Sequence, residues 1–374
     1  MRLSKMAAWN RYCNPRLVRM PEFAPGEWLN TPHPLTRTQL RGQIILVDFW
    51  DYACVNCLRT LPYLAQWQQR YAEKGLTIIG IHTPEFQFAQ IATFVATAVA
   101  THHIHYPILL DNQQQNWERY ANKAWPTKYL IDQDGYIRLQ RQGEGYYQET
   151  ELAIQTLLRQ RDPQVVLPEI LPPLRAEDTP GAVCYRPTPE LYAGYQGGGL
   201  FGGALGNPEG YLPHNPMFYT LPPDEERQAG QFYVDGAWYA WPEALAYAGQ
   251  TGGRILLPYQ AASLNAVLSP TADPVEMRLG LRPSQAEPVI VVKQNGRFLD
   301  NLHAGADITF TPQGESIVRV SEPRMYQLIQ NPTYAWHELE LTFQATGLAL
   351  YAFTFSTCIA PAAAPNEPNT IQIK

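Results

Sequence analysis

Length, composition and charge narrow the class of this protein before any motif is considered. The chain has 374 residues, enough for two domains that each bury a core, and its 45% hydrophobic and 12% aromatic content is typical of ordered globular protein. A net charge of −6 gives no electrostatic case for nucleic-acid binding. The 33 prolines and 26 glycines indicate long irregular stretches or many tight turns.

The first part of the chain alternates predicted strands and helices. A continuous apolar run predicts a buried strand at 44–50, and together with a helix at 56–73 and a second buried strand at 76–81 it forms a parallel βαβ unit. The other predicted elements are a lead-in hairpin at 26–41, a helix at 86–101, a strand at 106–110, a short helix at 113–121, a hairpin of 128–131 with 136–141, and a helix at 149–160. The pattern predicts an α/β domain over residues 26–161, after an N-terminal extension at 1–25.

The character of the sequence changes after residue 161. Residues 162–224 are rich in Pro, Gly and Tyr, and we interpret them as a connecting wrap that docks on the domains. Short alternating segments over residues 225–360 predict an antiparallel β sandwich, a jelly roll like that of carbohydrate-binding modules. Its predicted strands are 232–239, 253–258, 263–268, 275–281, 288–292, 316–320, 324–328, 337–342 and 348–355. Residues 361–374 are expected to form a flexible tail.

Two cysteines at the first strand-to-helix junction carry the main chemical signal. Cys54 and Cys57 stand three positions apart directly after the predicted strand. Such a pair is typical of a redox dithiol, because a helix N-terminus favours the thiolate of the first cysteine. A zinc site would need further ligands at suitable spacing, and none follows. Cys13, Cys184 and Cys358 lie far apart and are not expected to form a disulfide framework.

Two acidic residues lie close to this junction. Asp48 falls on the predicted buried strand, where burial would raise its pKa and suit it to accept a proton from Cys57. The alternative is that Asp48 only caps a backbone group. Glu85 ends the second buried strand, at the edge of the sheet where α/β proteins place function. It is expected either to tune the site and contact substrate or to cap the next helix.

These motifs resemble the thioredoxin family, in the TlpA-like branch that contains the C-terminal modules of DipZ-type proteins. The stretches that carry the resemblance are 26–30, 46–50, 54–62, 82–86, 125–132 and 143–145 in the first domain, and 188–195 and 351–355 in the second. The resemblance implies a thioredoxin fold followed by a β domain, with Cys54 as the attacking sulfur, Cys57 as the resolving one and Asp48 as the buried acid. No counterpart of the family's membrane-embedded electron conduit is expected in this chain.

The resemblance also implies a role for Pro126. In the family the equivalent proline is cis and faces the dithiol, where the backbone pairs with substrate. Trp50 and Trp125 are then expected to flank the sulfurs as an aromatic rim, with Thr127 beside them in the substrate site. TlpA-like relatives often carry a glutamate three residues after the second cysteine, and Thr60 stands at that position here.

The resulting prediction is a two-domain thiol-disulfide oxidoreductase that acts on protein disulfides or dithiols with an unidentified electron donor or acceptor. No metal and no cofactor beyond the Cys54–Cys57 disulfide are expected. One alternative is a peroxiredoxin-like peroxidase, disfavoured because Asp51 stands where that family has a threonine. The other is a binding protein whose β domain recognises a partner or a glycan, with the dithiol as a structural or sensor element.

The sequence also bears on location. No apolar run follows the basic residues near the N-terminus, so no signal peptide is expected. The most apolar later stretch, 91–100, is too short to span a bilayer. The expectation is a cytoplasmic protein without a membrane span, and the alternative is an extracytoplasmic one, as in the family that it resembles.

Overall fold

Two β sheets organise the protein, one in each half of the chain. The computed structural model describes residues 13–185, 189–197, 204–250, 252–280 and 287–359. The expected tail at 361–374 lies outside these residues. In the described part, the first sheet has six strands and the second has eleven.

The first half has the thioredoxin fold. Its strands are β1 (Trp28–Leu29), β2 (Ile44–Trp50), β3 (Leu76–His82), β4 (Ile108–Leu110), β5 (Thr127–Ile131) and β6 (Ile137–Gln142), and its helices are α1 (Val55–Tyr71), α2 (Ala92–Thr101), α3 (Gln115–Arg119) and α4 (Tyr147–Arg161). The sheet order is β1-β4-β3-β2-β5-β6. Strand β2 pairs in parallel with β3 and antiparallel with β5, so the active-site strand lies in the middle of the sheet.

Strand β2 is buried on both faces, as its continuous apolar run predicts. Leu46 and Trp50 belong to the core cluster that also contains the residues of α1, whereas Val47 and Phe49 belong to the cluster on the opposite face of the sheet. Because side chains alternate along a strand, Asp48 lies on the same face as Leu46 and Trp50. The strand therefore directs its only acid toward the helix that carries the dithiol.

The segment before β2 differs from the prediction. The lead-in hairpin at 26–41 is wrong, because β1 pairs with the distant strand β4 instead of with a neighbouring segment. The region assigned to an N-terminal extension also packs on the domain. Met20 is fully buried, and its N–H donates to the carbonyl of Gly135 at 2.9 Å. The first described residues thus contribute to the core.

The second half is an antiparallel β sandwich. Its elements are β7 (Val183–Cys184), β8 (Leu191–Tyr192), β9 (Pro216–Tyr219), β10 (Tyr233–Ala240), β11 (Leu245–Tyr247), β12 (Gly253–Ser269), α5 (Pro274–Leu279), β13 (Val289–Gln294), β14 (Arg297–Phe298), β15 (Ile308–Phe310), β16 (Ser316–Arg319), β17 (Arg324–Phe343), β18 (Ala349–Ser356) and β19 (Cys358–Ile359). The 17-residue β12 and the 20-residue β17 pair along most of their length. Strand β12 pairs with β10 at its start and with β18 at its end.

Three sequence predictions in this half need correction. Strands 253–258 and 263–268 are one strand, and so are 324–328 and 337–342, because irregular pairing absorbs the interruption that the sequence suggested was a loop. The predicted strand 275–281 is helix α5 as far as the structure describes it. Asp273 caps that helix by accepting from the N–H of Val275 at 2.7 Å, and Pro274 occupies its first turn.

Part of the predicted wrap belongs to the second sheet. Strand β8 pairs with β18, and β9 pairs with β10. The aromatic residues of this region have different environments: Tyr219 is buried, Phe218 is 73% exposed and Tyr185 stacks on Tyr334 at 4.1 Å. Phe201 lies outside the described residues. A single interdomain seam therefore does not account for all of them.

A disulfide joins the beginning and the end of the second half. Cys184 on β7 and Cys358 on β19 are bonded across a two-stranded sheet and are 174 residues apart in sequence. The expectation of no disulfide framework among Cys13, Cys184 and Cys358 did not foresee this bond, because the sheet topology brings together two positions whose sequence spacing shows no relation.

The two halves share one apolar core. Phe86 and Phe88, which follow β3, pack edge-to-face against Tyr351 of β18 at centroid distances of 5.3 Å and 4.9 Å. Nearby, the N–H of Gln87 donates to Glu243 Oε2 at 2.8 Å. These contacts are continuous with the cluster behind α1, so the β sandwich is packed against the domain that carries the dithiol.

Candidate active site

Cys54 and Cys57 lie at the start of α1 as free thiols. Cys54 is the N-cap residue, and its Sγ accepts a hydrogen bond from the N–H of Cys57 at 3.2 Å. Cys54 is partly exposed, whereas Cys57 is fully buried. The geometry thus presents one sulfur to incoming groups and keeps the second beneath it.

The pKa values of the two cysteines are raised to different extents. Burial raises the pKa of Cys54, hydrogen bonding with Cys57 opposes this effect, and the carboxyl groups of Glu85 and Glu190 add to it. Burial, together with Cys54, raises the pKa of Cys57 well above its usual value. The helix N-terminus is placed as expected, but it does not by itself make Cys54 an unusually acidic thiol. Cys54 is nevertheless the less perturbed of the two.

Asp48 faces a buried lysine across the sheet. Its register partner on β5 is Lys128, and both side chains are almost completely shielded from solvent. Burial raises the pKa of Asp48 to about 7, and the charge of Lys128 limits that rise. Burial lowers the pKa of Lys128, which the charges of Asp48 and Cys57 oppose. Asp48 can therefore gain or lose a proton near neutral pH.

Sequence reasoning missed Lys128, although a signal was present. The residue precedes Tyr129-Leu130-Ile131, and a lysine inside such an apolar strand has to face a polar partner or leave the core. Identifying Asp48 as that partner requires the register between β2 and β5, which the sequence does not give. The buried acid thus lies beside a buried basic residue on the neighbouring strand.

Asp51 fastens the turn that carries the dithiol. The fully buried carboxylate accepts from the N–H of Ala53 at 2.6 Å and from the N–H of Glu85 at 2.8 Å. His82 Nε2 lies 3.9 Å from Asp51 Oδ2, but burial lowers the pKa of His82 to about 3, so the ring stays neutral. Asp51 links the loop after β2 to the loop after β3, a role that the sequence analysis did not assign.

The loop that contains Pro126 lies against the end of β3. The Trp125–Pro126 peptide bond is cis, which confirms that part of the prediction. Trp125 is partly buried; its Nε1–H donates to the carbonyl of Thr83 at 3.0 Å, and its ring packs on Trp117 at 4.3 Å. The N–H of Gly143 donates to the carbonyl of Pro126 at 2.8 Å. The loop is therefore held from both sides.

Two residues assigned to the substrate site are not placed to contact substrate with their side chains. Trp50 is fully buried and packs edge-to-face on His82 at 5.4 Å. Thr127 is also fully buried, and its hydroxyl donates to the carbonyl of Ala124 at 2.7 Å. Both residues lie at the ends of their strands, with their side chains directed into the core, so the prediction that Trp50 forms an exposed rim is wrong, whereas the assignment of Thr127 to the substrate site stays a prediction.

Glu85 lies where the two halves meet. Tyr192 Oη from β8 is 2.6 Å from Glu85 Oε1 and 3.0 Å from Glu190 Oε2. Burial, with help from Glu190 and Asp51, raises the pKa of Glu85 to about 8. Its side chain does not cap α2, whose N-cap residue is Ile91. Of the alternatives for Glu85, helix capping is thus excluded, and a position near the dithiol turn remains.

A cleft of about 880 Å³ separates α1 from the β sandwich. Val55, Leu58 and Arg59 line it on the side of the dithiol helix, and Met325 and Gln327 line it on the opposite side. The Cys184–Cys358 pair also borders this cleft. Among the described residues, no group of three or more His, Cys, Asp or Glu side chains is arranged to hold a metal ion.

Comparisons with known proteins agree with this architecture. The AhpC/TSA family matches residues 19–140, and the family described as thioredoxin like C-terminal domain matches residues 188–356. Protein DipZ of Mycobacterium bovis is 37% identical over 259 residues, which cover 68% of this chain and 35% of DipZ. Both halves of the chain are thus similar to proteins of the TlpA/DipZ-like thioredoxin family. The matches to the two halves reproduce the two-part order of the fold.

Other similar proteins are more distant. Thiol-disulfide oxidoreductase ResA of Bacillus thuringiensis is 30% identical over 112 residues, which cover 30% of this chain and 62% of ResA. A solved structure, a thiol:disulfide interchange protein of the thioredoxin family from Chlorobium tepidum, has 21% identity and a TM-score of 0.33, and covers 39% of this chain and 99% of its own. The chain spans about a third of the length of DipZ. Within the residues that the structure describes, no helix of this chain is long and apolar enough to cross a membrane.

Proposed function

We propose that this protein is a thiol-disulfide oxidoreductase whose Cys54–Cys57 pair exchanges with disulfides or dithiols of other proteins. The observation that supports it most directly is the placement of the two sulfurs at the start of α1, with Cys54 partly exposed and Cys57 buried. A pair so arranged can close and open a disulfide within one helical turn. The pair itself would then be the only redox group required.

In the reducing direction the reaction has two steps. The Cys54 thiolate attacks one sulfur of the substrate disulfide, which forms a mixed disulfide and releases the other substrate sulfur as a thiolate. Cys57 then loses its proton and attacks Cys54 Sγ, which closes the Cys54–Cys57 disulfide and releases the second substrate thiolate. Two electrons pass to the substrate, and an external donor has to reduce the pair before the next cycle.

Asp48 is proposed as the acceptor of the Cys57 proton. The charge of Asp48 is among the groups that raise the pKa of Cys57, so the two side chains are electrostatically coupled. A carboxyl group with a pKa of about 7 is matched to general base catalysis near neutral pH. Lys128 favours the ionised form of Asp48, and so keeps this base available.

Substrate is proposed to bind at the Trp125–Pro126 loop and along the cleft beside α1. Among the described residues, the main chain of Trp125 takes part in none of the backbone hydrogen bonds of turns and loops. It is therefore able to pair with an extended substrate segment. The cleft has both apolar and charged walls, including the ion pair of Arg59 with Glu144 at 3.4 Å. The β sandwich thus forms one wall of the proposed substrate site.

Trapping the mixed disulfide tests this function. Cys57→Ser should accumulate stable adducts with protein substrates through Cys54, whereas Cys54→Ser, the matched control, should accumulate none. Reduction of insulin disulfides by the unmodified protein should be lost in both variants. Peptide mass spectrometry identifies the linked residue. A stable adduct on Cys57 in the Cys54→Ser variant would reject the assigned order of the two cysteines. Consumption of hydrogen peroxide without disulfide exchange would instead support the peroxidase alternative.

The Cys184–Cys358 disulfide favours an extracytoplasmic location over the cytoplasmic one expected from the sequence. Disulfides that join distant parts of a chain persist in oxidising compartments and are rare in the cytosol. This location is proposed on that single feature. Mass spectrometry of the native protein after rapid acid quenching and thiol blocking tests it, since a fully reduced Cys184 and Cys358 would argue for the cytoplasm.

A further inference from the structure

A tyrosine from the second half of the chain connects two carboxyl groups near the dithiol turn. Tyr192 Oη is 2.6 Å from Glu85 Oε1 and 3.0 Å from Glu190 Oε2. Glu85 follows β3 in the thioredoxin half, whereas Glu190 and Tyr192 belong to the segment around β8. Glu85 is partly buried, and Glu190 is exposed to solvent. The three groups therefore form a chain that runs from the seam between the halves to the surface.

The number of hydrogens limits how these groups can be charged. A tyrosine hydroxyl has one hydrogen, so it can donate well to only one of its two carboxyl neighbours. If both were ionised, one carboxylate would face the hydroxyl oxygen without a hydrogen between them. The arrangement is satisfied when one carboxyl is protonated and donates to Tyr192, which then donates to the other. Because Glu85 is the more buried of the two, it is the better place for that proton.

Glu85 is also fixed to the turn that holds Cys54. The N–H of Glu85 donates to Asp51 Oδ2 at 2.8 Å, and the N–H of Cys54 donates to the carbonyl of Asp51 at 3.2 Å. The charges of Glu85 and Glu190 both act on the Cys54 sulfur and disfavour its thiolate. No acidic residue lies in the first turn of α1, so these two carboxyl groups are the acids that act on Cys54 from outside the helix.

We infer that Glu85, Tyr192 and Glu190 form a shared-proton site that limits the negative charge near Cys54 and thereby controls its ionisation. This inference rests on the proposed function, and it makes the β half a contributor to the chemistry of the dithiol. Glu85 and Tyr192 are positioning residues here, because they act on the reaction through Cys54. When Glu85 gives up the proton through Tyr192 and Glu190 to solvent, the added charge disfavours the Cys54 thiolate.

Other charged groups surround this site and have to be kept constant in any test. Asp51 and Glu243 add negative charge near Glu85, and both raise its pKa. Burial lowers the pKa of Lys128, and the charge of Cys54 is among the groups that oppose this effect. His82, next to Asp51, stays neutral because burial lowers its pKa to about 3. The pH dependence of Cys54 above neutrality is thus assigned to Glu85 against a fixed background of these groups.

The test is the rate of Cys54 alkylation by iodoacetamide as a function of pH, with each cysteine resolved by peptide mass spectrometry. Glu85→Gln should match the unmodified protein near about pH 7, where Glu85 is already neutral, and should react up to roughly tenfold faster near about pH 9, where Glu85 carries a charge. Glu190→Gln should move the pH dependence of the rate to lower pH, because Glu190 is one of the groups that raise the pKa of Glu85. Glu73→Gln, which removes an exposed carboxyl group beyond the end of α1, is the control and should follow the unmodified protein.

Superimposable pH profiles for Glu85→Gln and the unmodified protein would overturn the inference. If Glu85→Gln does not fold, as judged by circular dichroism, Glu190→Gln decides the matter, and a profile identical to that of the unmodified protein overturns it. Alkylation needs no protein substrate. A protein with these profiles but without insulin reduction would therefore reject the proposed function and leave the shared-proton site standing.

Discussion

Replacing Asp48 by asparagine separates the two chemical steps of the dithiol. Asn keeps the shape of the side chain but cannot accept a proton, so we expect the closure of Cys57 onto Cys54 to slow by roughly 10²–10⁴-fold, the usual contribution of a general base. The attack by Cys54 should change far less, because the charges that act on Cys54 are mainly Glu85 and Glu190. The two rates therefore provide an internal control within one variant.

An aromatic disulfide that releases a coloured thiol measures both rates in one stopped-flow trace. The first equivalent of coloured thiol reports the attack by Cys54, and the second reports closure by Cys57. In Asp48→Asn only the second phase should slow. An unchanged second phase, or an equal slowing of both phases, would refute the proposed role of Asp48. Lys128→Met provides the complementary variant: without the lysine charge the pKa of Asp48 should rise above about 7, and the pH midpoint of closure should rise with it.

Asp48→Asn also affects the stability of the fold, and the sign of this effect follows from the raised pKa of Asp48. The pKa of Asp48 is raised by burial from 3.8 to about 7, so the folded state binds its proton more tightly than the unfolded chain does. Its contribution to stability is therefore fully present below the unfolded value and is lost as the pH rises through about 7. A rise of about three pKa units corresponds to roughly 4 kcal/mol, and the favourable charge of Lys128 is already included in that figure. Chemical denaturation at several pH values should show this decline, and Asp48→Asn should remove it.

Two further predictions concern the second half. Tyr351→Ala should lower the free energy of unfolding by roughly 3–5 kcal/mol, because it removes the ring on which Phe86 and Phe88 pack. Phe218→Ala, at an exposed position, is the control. Equal losses for the two variants in urea denaturation would contradict the shared core. Replacing both Cys184 and Cys358 by serine should lower the same quantity by up to about 5 kcal/mol, since the disulfide closes a very long loop, and an unchanged denaturation midpoint would contradict this.

The sequence is sufficient to predict those strands and helices for which a single local pattern is decisive. Strand β2 has the bounds that its continuous apolar run indicated, since a strand buried on both faces needs no partner information to be recognised. The sequence predicts a strand where helix α5 lies, because this short segment alternates polar and apolar residues and six residues are too few to show the helical period. There the deciding signal was the cap, Asp273 followed by Pro274.

In the candidate site, too, the features that depend on local sequence could be predicted and those that depend on long-range packing could not. The positions of Cys54 and Cys57 followed from their spacing after a strand, because strand, turn and helix are all local. The partners of the acids did not follow, because Lys128 and Tyr192 reach Asp48 and Glu85 only through sheet register and the packing of two halves. Trp50 was misplaced because an aromatic residue beside a motif can face the core as readily as the solvent.

The Cys184–Cys358 bond makes the second half of the chain a covalent ring. A single peptide-bond break inside the ring leaves both fragments attached until the bond is reduced, so cleavage there is invisible on a gel run without reductant. The ring also borders the cleft beside α1. A donor that keeps Cys54 and Cys57 reduced also reduces the Cys184–Cys358 bond, unless the reduction potential of that bond is much lower than the potential of the donor. The electron supply would then set how firmly the wall of the cleft is held.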